Sequence, residues 1–339
     1  MSKRTRRKRL PEPVSGITIE SLSHDGRGVA HLDGKAVFID GALPGEVVSF
    51  EYRATRRRFD EGRVTAVMQA SPVRVQPRCP HFGLCGGCSL QHMESAAQIS
   101  AKQQTLLDNL KHIGKVVPQT VLPVLTGPVW GYRTKGRLGV KAVIKKGRVL
   151  VGFREKHSPF VADLATCEVL HPSVGRRIEE LAQLLGQLEA RARIPQIEVA
   201  VAGSITALVF RHLDPFSQAD CDRLKHYAMV QGLHIFLQPG GPDSVQPLWP
   251  EQSVLSYQLP AESIEIRFKP TDFTQVNTAI NEQMVARVLD LLALDSNDTV
   301  LDLFFGLGNF KLPMARHAGS VIGVEGDSGV VSRARDNAS

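Results

Sequence analysis

TVLDLFFGLGNFKLPMARHAGSVIGVEGD occupies residues 299–327. It opens with an apolar run over 300–305, the length of a buried strand. A turn built on Gly306 and Gly308 follows, then a segment able to start a helix. A second apolar run over 321–324 ends on Glu325. Strand, glycine turn, helix, strand and acid is the order of a nucleotide-binding βαβ unit. Glycine lets the backbone approach a ligand closely, and an acid ending the second strand can accept hydrogen bonds from two ribose hydroxyls. Lys311 stands where a dinucleotide fingerprint has its third glycine. The pattern therefore favours a cofactor with a ribose but no pyrophosphate, such as S-adenosylmethionine (SAM). The plain alternative is a strand-turn-helix that holds no ligand.

The 339 residues leave room for two or three domains. With 42% hydrophobic and 22% charged residues the composition is that of a soluble globular protein. Its net charge of +7 is concentrated at the start, where Lys3, Arg4, Arg6, Arg7, Lys8 and Arg9 precede the first acid. A basic arm on a nearly neutral body points to a polyanionic partner, RNA before DNA or lipid. Pro11 and Pro13 follow the arm in place of the apolar core of a signal peptide, and no apolar run reaches the ~18 residues of a membrane span. Five cysteines, an odd number, argue for thiols or a metal site in a cytoplasmic protein.

Residues 1–13 read as a disordered basic tail. Over 14–72 short runs at 16–22, 28–31, 36–39, 47–52 and 62–68 are separated by Asp25-Gly26, Asp33-Gly34, Asp40-Gly41 and Pro44-Gly45. Five short strands in so little chain predict a small closed barrel of the OB type, a common RNA binder. Arg53, Arg56, Arg57 and Arg58 with Phe59 give it a basic-aromatic edge. Residues 73–270 form a mixed α/β central domain. It opens with a loop rich in Pro, Gly and Cys, and a helix over 96–113 follows with Ile99, Leu106, Leu110 and Ile113 on one face. Strands are expected at 136–144, 149–153, 196–201 and 205–211. Val174, Ile178, Leu181, Leu185 and Leu188 have the spacing of a single helix. Residues 271–339 hold a helix over 278–294 and then the opening motif.

Cys79, Cys85 and Cys88 lie within ten residues, and Gly86-Gly87 leaves backbone amides open toward sulfur. Zinc ribbons use two separated C-x2-C knuckles, and this chain has one. Three clustered cysteines with one distant cysteine are closer to a ferredoxin arrangement, so the spacing favours an iron-sulfur cluster over zinc. For the fourth ligand Cys167, near an expected strand end, is preferred to Cys221, which lies in a helical pattern over 218–229.

Four stretches carry a family resemblance: HDGRGVAHLDGKAVFIDGALPGE (24–46), CPHFGLCGGCSLQHM (79–93), DFTQVN (272–277) and LDLFFGLGNFKLP (301–313). In these the chain resembles the RNA 5-methyluridine methyltransferases, and among them the enzymes acting on uracil C5 of 23S rRNA. The resemblance implies an N-terminal TRAM domain that binds RNA, a central domain, and a Rossmann-like SAM-dependent methyltransferase domain. It implies a [4Fe-4S] cluster on Cys79, Cys85, Cys88 and Cys167, and SAM contacts from Gln275, Phe304, Asn309 and Glu325. It places Phe273 to stack on the target base. The chemistry it implies is addition of a cysteine thiolate to uracil C6, attack of C5 on the SAM methyl group, and removal of the C5 proton by a general base.

Phe305 departs from the family pattern, which has Cys there. The family's nucleophilic cysteine and base belong to motifs not found in 1–339. The methyltransferase domain is therefore expected to be incomplete and this chain to be inactive alone, with no catalytic residue of its own. A tRNA uridine C5-methyltransferase and a non-catalytic iron-sulfur RNA-binding protein are the alternative readings. Oligomeric state is not legible in the residues.

Overall fold

A computed structural model describes residues 9–339. Of the basic tail, residues 1–8 lie outside the described residues, and Arg9 is exposed and pairs with Glu12 at 3.4 Å. The chain divides into two compact units, the first ending at Val124 and the second running over Leu125–Ser339.

The first unit holds β1 (Val14–Thr18), β2 (Ser21–Leu22), β3 (Gly28–Leu32), β4 (Lys35–Asp40), β5 (Val47–Thr55) and β6 (Phe59–Gln69) in one sheet of order β1-β5-β6-β4-β3-β2. β1 pairs with β5 while β2, two residues on, pairs with β3. One bent segment thus joins both edges of the sheet and closes it as a barrel. The run expected as one strand over 16–22 breaks at Ile19 and Glu20. The Ile19 amide donates to the Glu46 carbonyl and that of Glu20 to the Val29 carbonyl, 2.9 and 2.8 Å. Ile19, Ala30, Val37, Ile39, Val48 and Phe50 fill the interior. Gly62 is required there, because a Cβ would stand 2.5 Å from the Phe50 ring. Glu46, fully buried, closes the barrel end: it accepts from the Leu43 amide at 2.8 Å and from Arg74 Nη2 at 2.7 Å. Burial alone raises its pKa, but Arg74 and the Leu43 and Ser71 amides outweigh that and hold the carboxyl below its ordinary range. Helix α1 (Ser95–His112) fills the span expected for it but buries no residue, and Leu106 and Ile113 face solvent.

The second unit is built on a mixed sheet of order β12-β11-β10-β9-β7-β8. Its elements are β7 (Lys135–Val143), β8 (Arg148–Gly152), α2 (Pro172–Gly175), α3 (Ile178–Gly186), β9 (Gln196–Ala202), β10 (Ile205–Arg211), α4 (Gln218–Gln231), β11 (His234–Gln238) and β12 (Gln246–Trp249). Only β10 and β11 are parallel in it, and α4 is their crossover. The helix expected over 174–188 is two, parted at Arg176 and Arg177, because the chain turns back to donate the Cys167 amide to the Gly175 carbonyl at 2.7 Å. All five spaced apolar residues are nonetheless buried.

A hairpin of β13 (Leu255–Leu259) and β14 (Ile264–Phe268) follows, then α5 (Thr278–Leu292), β15 (Thr299–Leu303), α6 (Lys311–Met314), β16 (Ser320–Val324) and α7 (Ser328–Asp336). A continuous core runs from Ala200, Val209 and Phe236 of the sheet through Leu255, Ile266 and Phe268 of the hairpin to Val285 of α5 and Leu307. β15 and β16 pair in parallel, as a βαβ unit requires. The expectation that the 300–305 run is buried needs correction. Leu301, Leu303, Ile322 and Val324 are exposed on one face of this two-stranded sheet, because no element packs over them among the described residues. The helix after the glycine turn is also only four residues long.

Candidate active site

The glycine turn and Glu325 come together. Past Leu303 the chain takes Phe304 into the left-handed region at φ 60°, followed by Gly306 at 58° and Gly308 at 99°. Gly308 tolerates no side chain, because a Cβ there would lie 2.8 Å from Leu312 Cγ. A left-handed phenylalanine is strained backbone, and strain of this kind gathers at functional sites. It turns the Phe304 ring outward, 86% exposed. The Phe304 amide still donates to the Val324 carbonyl at 2.7 Å.

Glu325 Oε2 accepts from the Gly306 amide at 3.0 Å, and Oε1 accepts from the amides of Gly326 at 2.7 Å and Asp327 at 3.2 Å. The Asp327 and Gly306 amides keep the carboxyl below its ordinary range, so it is an anion at neutral pH. A carboxylate has about four acceptor positions, and three amides leave room for a hydroxyl donor.

Asn309 is set differently. Its Oδ1 accepts from Tyr257 Oη at 2.9 Å and Asn281 Nδ2 at 2.8 Å, and its Nδ2 donates to Asn281 Oδ1 at 2.9 Å. This reciprocal amide pair fastens the glycine turn to α5 and to the hairpin. Asn309 keeps one N–H to offer elsewhere.

Phe273 and Gln275 lie on the loop between β14 and α5, held at several points. The Thr134 amide donates to the Val276 carbonyl at 2.9 Å. Lys135 Nζ donates to the carbonyls of Asp272 and, at 2.7 Å, of Pro270. Burial pushes Lys135 down to about 8, against the pull of Glu198 and Asp272. Asp272 accepts from the Lys269 amide at 2.7 Å and from Arg333 Nη2 at 2.5 Å. On this pinned loop Thr274 is buried and Phe273 projects, 80% exposed. Gln275 borders a cavity of about 10 Å³, the size of one water. Lys135 and Arg333 went unnoticed in the sequence because each works on a loop far along the chain.

Two further residues shape the turn. Phe305 is buried, with Lys311 Nζ 4.5 Å from its ring centroid, and it fills the space over Gly323. Asp302 points inward from β15, and its Oδ2 is buried without a hydrogen-bond partner among the described residues. Burial pushes its carboxyl up, opposed by Lys311. The sequence signal for it was available: an acid at the alternate position of an otherwise apolar run.

The cysteines are divided between the units. Cys79, Cys85 and Cys88 lie in the first, on a loop of tight turns where the Cys85 amide donates to the His81 carbonyl at 3.0 Å. The Gly87 amide donates to Cys85 Sγ at 3.4 Å. Cys167 lies in the second unit, in an irregular loop and not at a strand end. Among the described residues no three His, Cys, Asp or Glu side chains are gathered into a group able to hold a metal ion. Three cysteines within ten residues give this loop soft thiolate donors of the kind that bind a metal or cluster. Cys221 lies in α4, and burial pushes its thiol up.

Among the described residues no helix is long and apolar enough to cross a membrane. Residues 14–67 match the model of the TRAM domain, and residues 178–339 match that of the tRNA (uracil-5-)-methyltransferase family. The 23S rRNA (uracil(1939)-C(5))-methyltransferase RlmD of Xanthomonas campestris is 52% identical over 98% of this chain and 76% of its own. Its namesake from Nitrosococcus oceani is 52% identical over all of this chain and 76% of its own. In fold the chain is similar to the tRNA (uracil-54, C5)-methyltransferase of Pyrococcus abyssi, solved in complex with S-adenosyl-L-homocysteine. That likeness has TM-score 0.69 at 18% identity, over 95% of this chain and 75% of the other. This chain belongs to the RNA (uracil-C5)-methyltransferase family, together with the RlmD proteins.

Proposed function

We propose that the protein methylates C5 of a uridine in 23S rRNA, using SAM as methyl donor. What carries this reading is 52% identity, sustained over nearly the whole chain, to proteins named for that reaction at uracil 1939. The arrangement at the glycine turn supports it. Glu325, anionic and fixed by three amides, can accept from a ribose hydroxyl. Phe304 offers an exposed ring, Asn309 one remaining N–H, and Gln275 an exposed amide, all as contacts to SAM. SAM supplies the methyl group. The chain holds the cofactor at these residues and stacks the target base on Phe273, whose loop is pinned so that the ring stays presented.

None of the five cysteines is assigned as the nucleophile that adds at C6. Four are proposed as ligands of a structural [4Fe-4S] cluster (Cys79, Cys85, Cys88 and Cys167), and Cys221 has a thiol that burial makes harder to ionise. The cluster rests on the cysteine spacing and on the Gly87 amide facing Cys85. RNA affinity is proposed to come from the barrel and the basic arm, with the protein working in the cytoplasm.

The test is transfer of a labelled methyl group from SAM to unmodified 23S rRNA and to unmodified tRNA. Label in 5-methyluridine of 23S rRNA is expected. Label in tRNA alone would establish the alternative substrate.

A further inference from the structure

A second polar site lies on the central sheet of the second unit. Arg137 of β7 pairs with Glu198 of β9, Gln196 of β9 with Arg211 of β10, and Arg211 with Gln238 of β11. Directly paired residues share a face, as do Gln196 and Glu198, two apart on one strand. Five polar side chains from four adjacent strands therefore stand in a row on one face. They line a cleft of about 320 Å³, in the range of small-ligand sites.

Within the cleft the charges do not balance. Glu198 takes both Arg137, at 2.8 Å, and Gln196 Nε2, at 3.0 Å. Arg211 is exposed and forms no ion pair among the described residues, which leaves one unneutralised guanidinium. Beside it Gln238 is buried, and its Oε1 has no hydrogen-bond partner among the described residues. A buried acceptor without a donor is destabilising, and a ligand N–H can remove that cost. An anion beside an N–H donor is what the row can take, and one ribonucleotide of an RNA strand presents both, on its phosphate and its base edge.

Position selects the strand. Thr271 lines the cleft and lies two residues before Phe273 on the same pinned loop. We infer that this cleft holds a nucleotide flanking the target uridine, with Arg211 on its phosphate and Gln238 on its base edge. The inference rests on the RNA-methylating reading above and adds to it a contact that selects sequence context.

The probe is a fluorescein-labelled 23S rRNA fragment carrying the unmodified target uridine, titrated with residues 1–339 over a salt series. Arg211→Ala is expected to weaken binding about tenfold and to reduce the slope of log affinity against log salt by about 0.7, one single-strand phosphate contact. Arg211→Lys restores the slope. Gln238→Leu removes an unpartnered buried acceptor, so the fold keeps or gains stability to urea while RNA affinity falls, a combination that a purely structural role does not give. If both variants match wild type while Phe273→Ala weakens binding, the cleft inference is overturned and the RNA reading stands. If wild type does not bind the fragment, both fall. If uridine monophosphate binds in an Arg211-dependent way and the fragment does not, the cleft is a free-nucleotide site and the inference is again overturned.

Discussion

Replacing Asn309 with alanine separates a ligand contact from a structural latch. The side chain makes three hydrogen bonds: one from Tyr257, one from Asn281 and one to Asn281, at 2.9, 2.8 and 2.9 Å. At ~0.5–1.5 kcal/mol net for each neutral bond, their loss amounts to about 3 kcal/mol. Asn281 is only 4% exposed. Its abandoned amide has little access to water, so the total should reach about 3–5 kcal/mol. Native-state hydrogen exchange of the α5 amides reads this locally, without assuming that the two units unfold together. A cycle with Asn281→Ala adds a sharper criterion. Because the two amides bond reciprocally, the double variant should cost less than the summed singles by about 1–3 kcal/mol. An Asn309→Ala loss below about 1 kcal/mol, or strict additivity with Asn281→Ala, would refute the latch.

Arg74→Ala leaves the buried Glu46 carboxylate without its guanidinium, and urea unfolding should show the barrel destabilised by about 3–5 kcal/mol. The depressed Glu46 pKa means that its contribution exists above the ordinary carboxyl range and disappears as pH falls through the folded value. The gap between Arg74→Ala and wild type should therefore narrow in acid. Asp302 has the opposite sign: its folded pKa is raised, so its ionisation opposes folding above the ordinary value of 3.8. Asp302→Asn should be more stable than wild type at neutral pH, with the gain vanishing below that value; a gain that persists in acid would contradict the burial argument. Anaerobically purified protein should contain iron and acid-labile sulfide, lost in Cys167→Ser and kept in Cys221→Ser. A colourless protein with one zinc rules the cluster out.

The barrel was legible because its turns are local. Gly26, Gly34, Gly41 and Gly45 all adopt positive φ, and each sits in a dipeptide that marks a turn. The bend at Ile19 and Glu20 was not, since it is made by amides pairing with Glu46 and Val29, distant in sequence. An apolar run reveals a strand but not which faces are covered, and so the exposure of Leu301 and Ile322 escaped notice. At the site, the approach of Glu325 to the glycine turn followed from the βαβ order alone. The Asn309 latch needs Tyr257 and Asn281, 52 and 28 residues away, and no local pattern joins them. The Lys135 and Arg333 restraints on the Phe273 loop are of the same long-range kind.

Nucleoside mass spectrometry of 23S rRNA from cells lacking this gene tests the function most directly. The proposed activity requires that one 5-methyluridine disappear from 23S rRNA, that tRNA 5-methyluridine stay unchanged, and that the wild-type gene but not a Glu325→Ala version restore the mark. A full complement of 5-methyluridine in 23S rRNA from the deletion strain would contradict it.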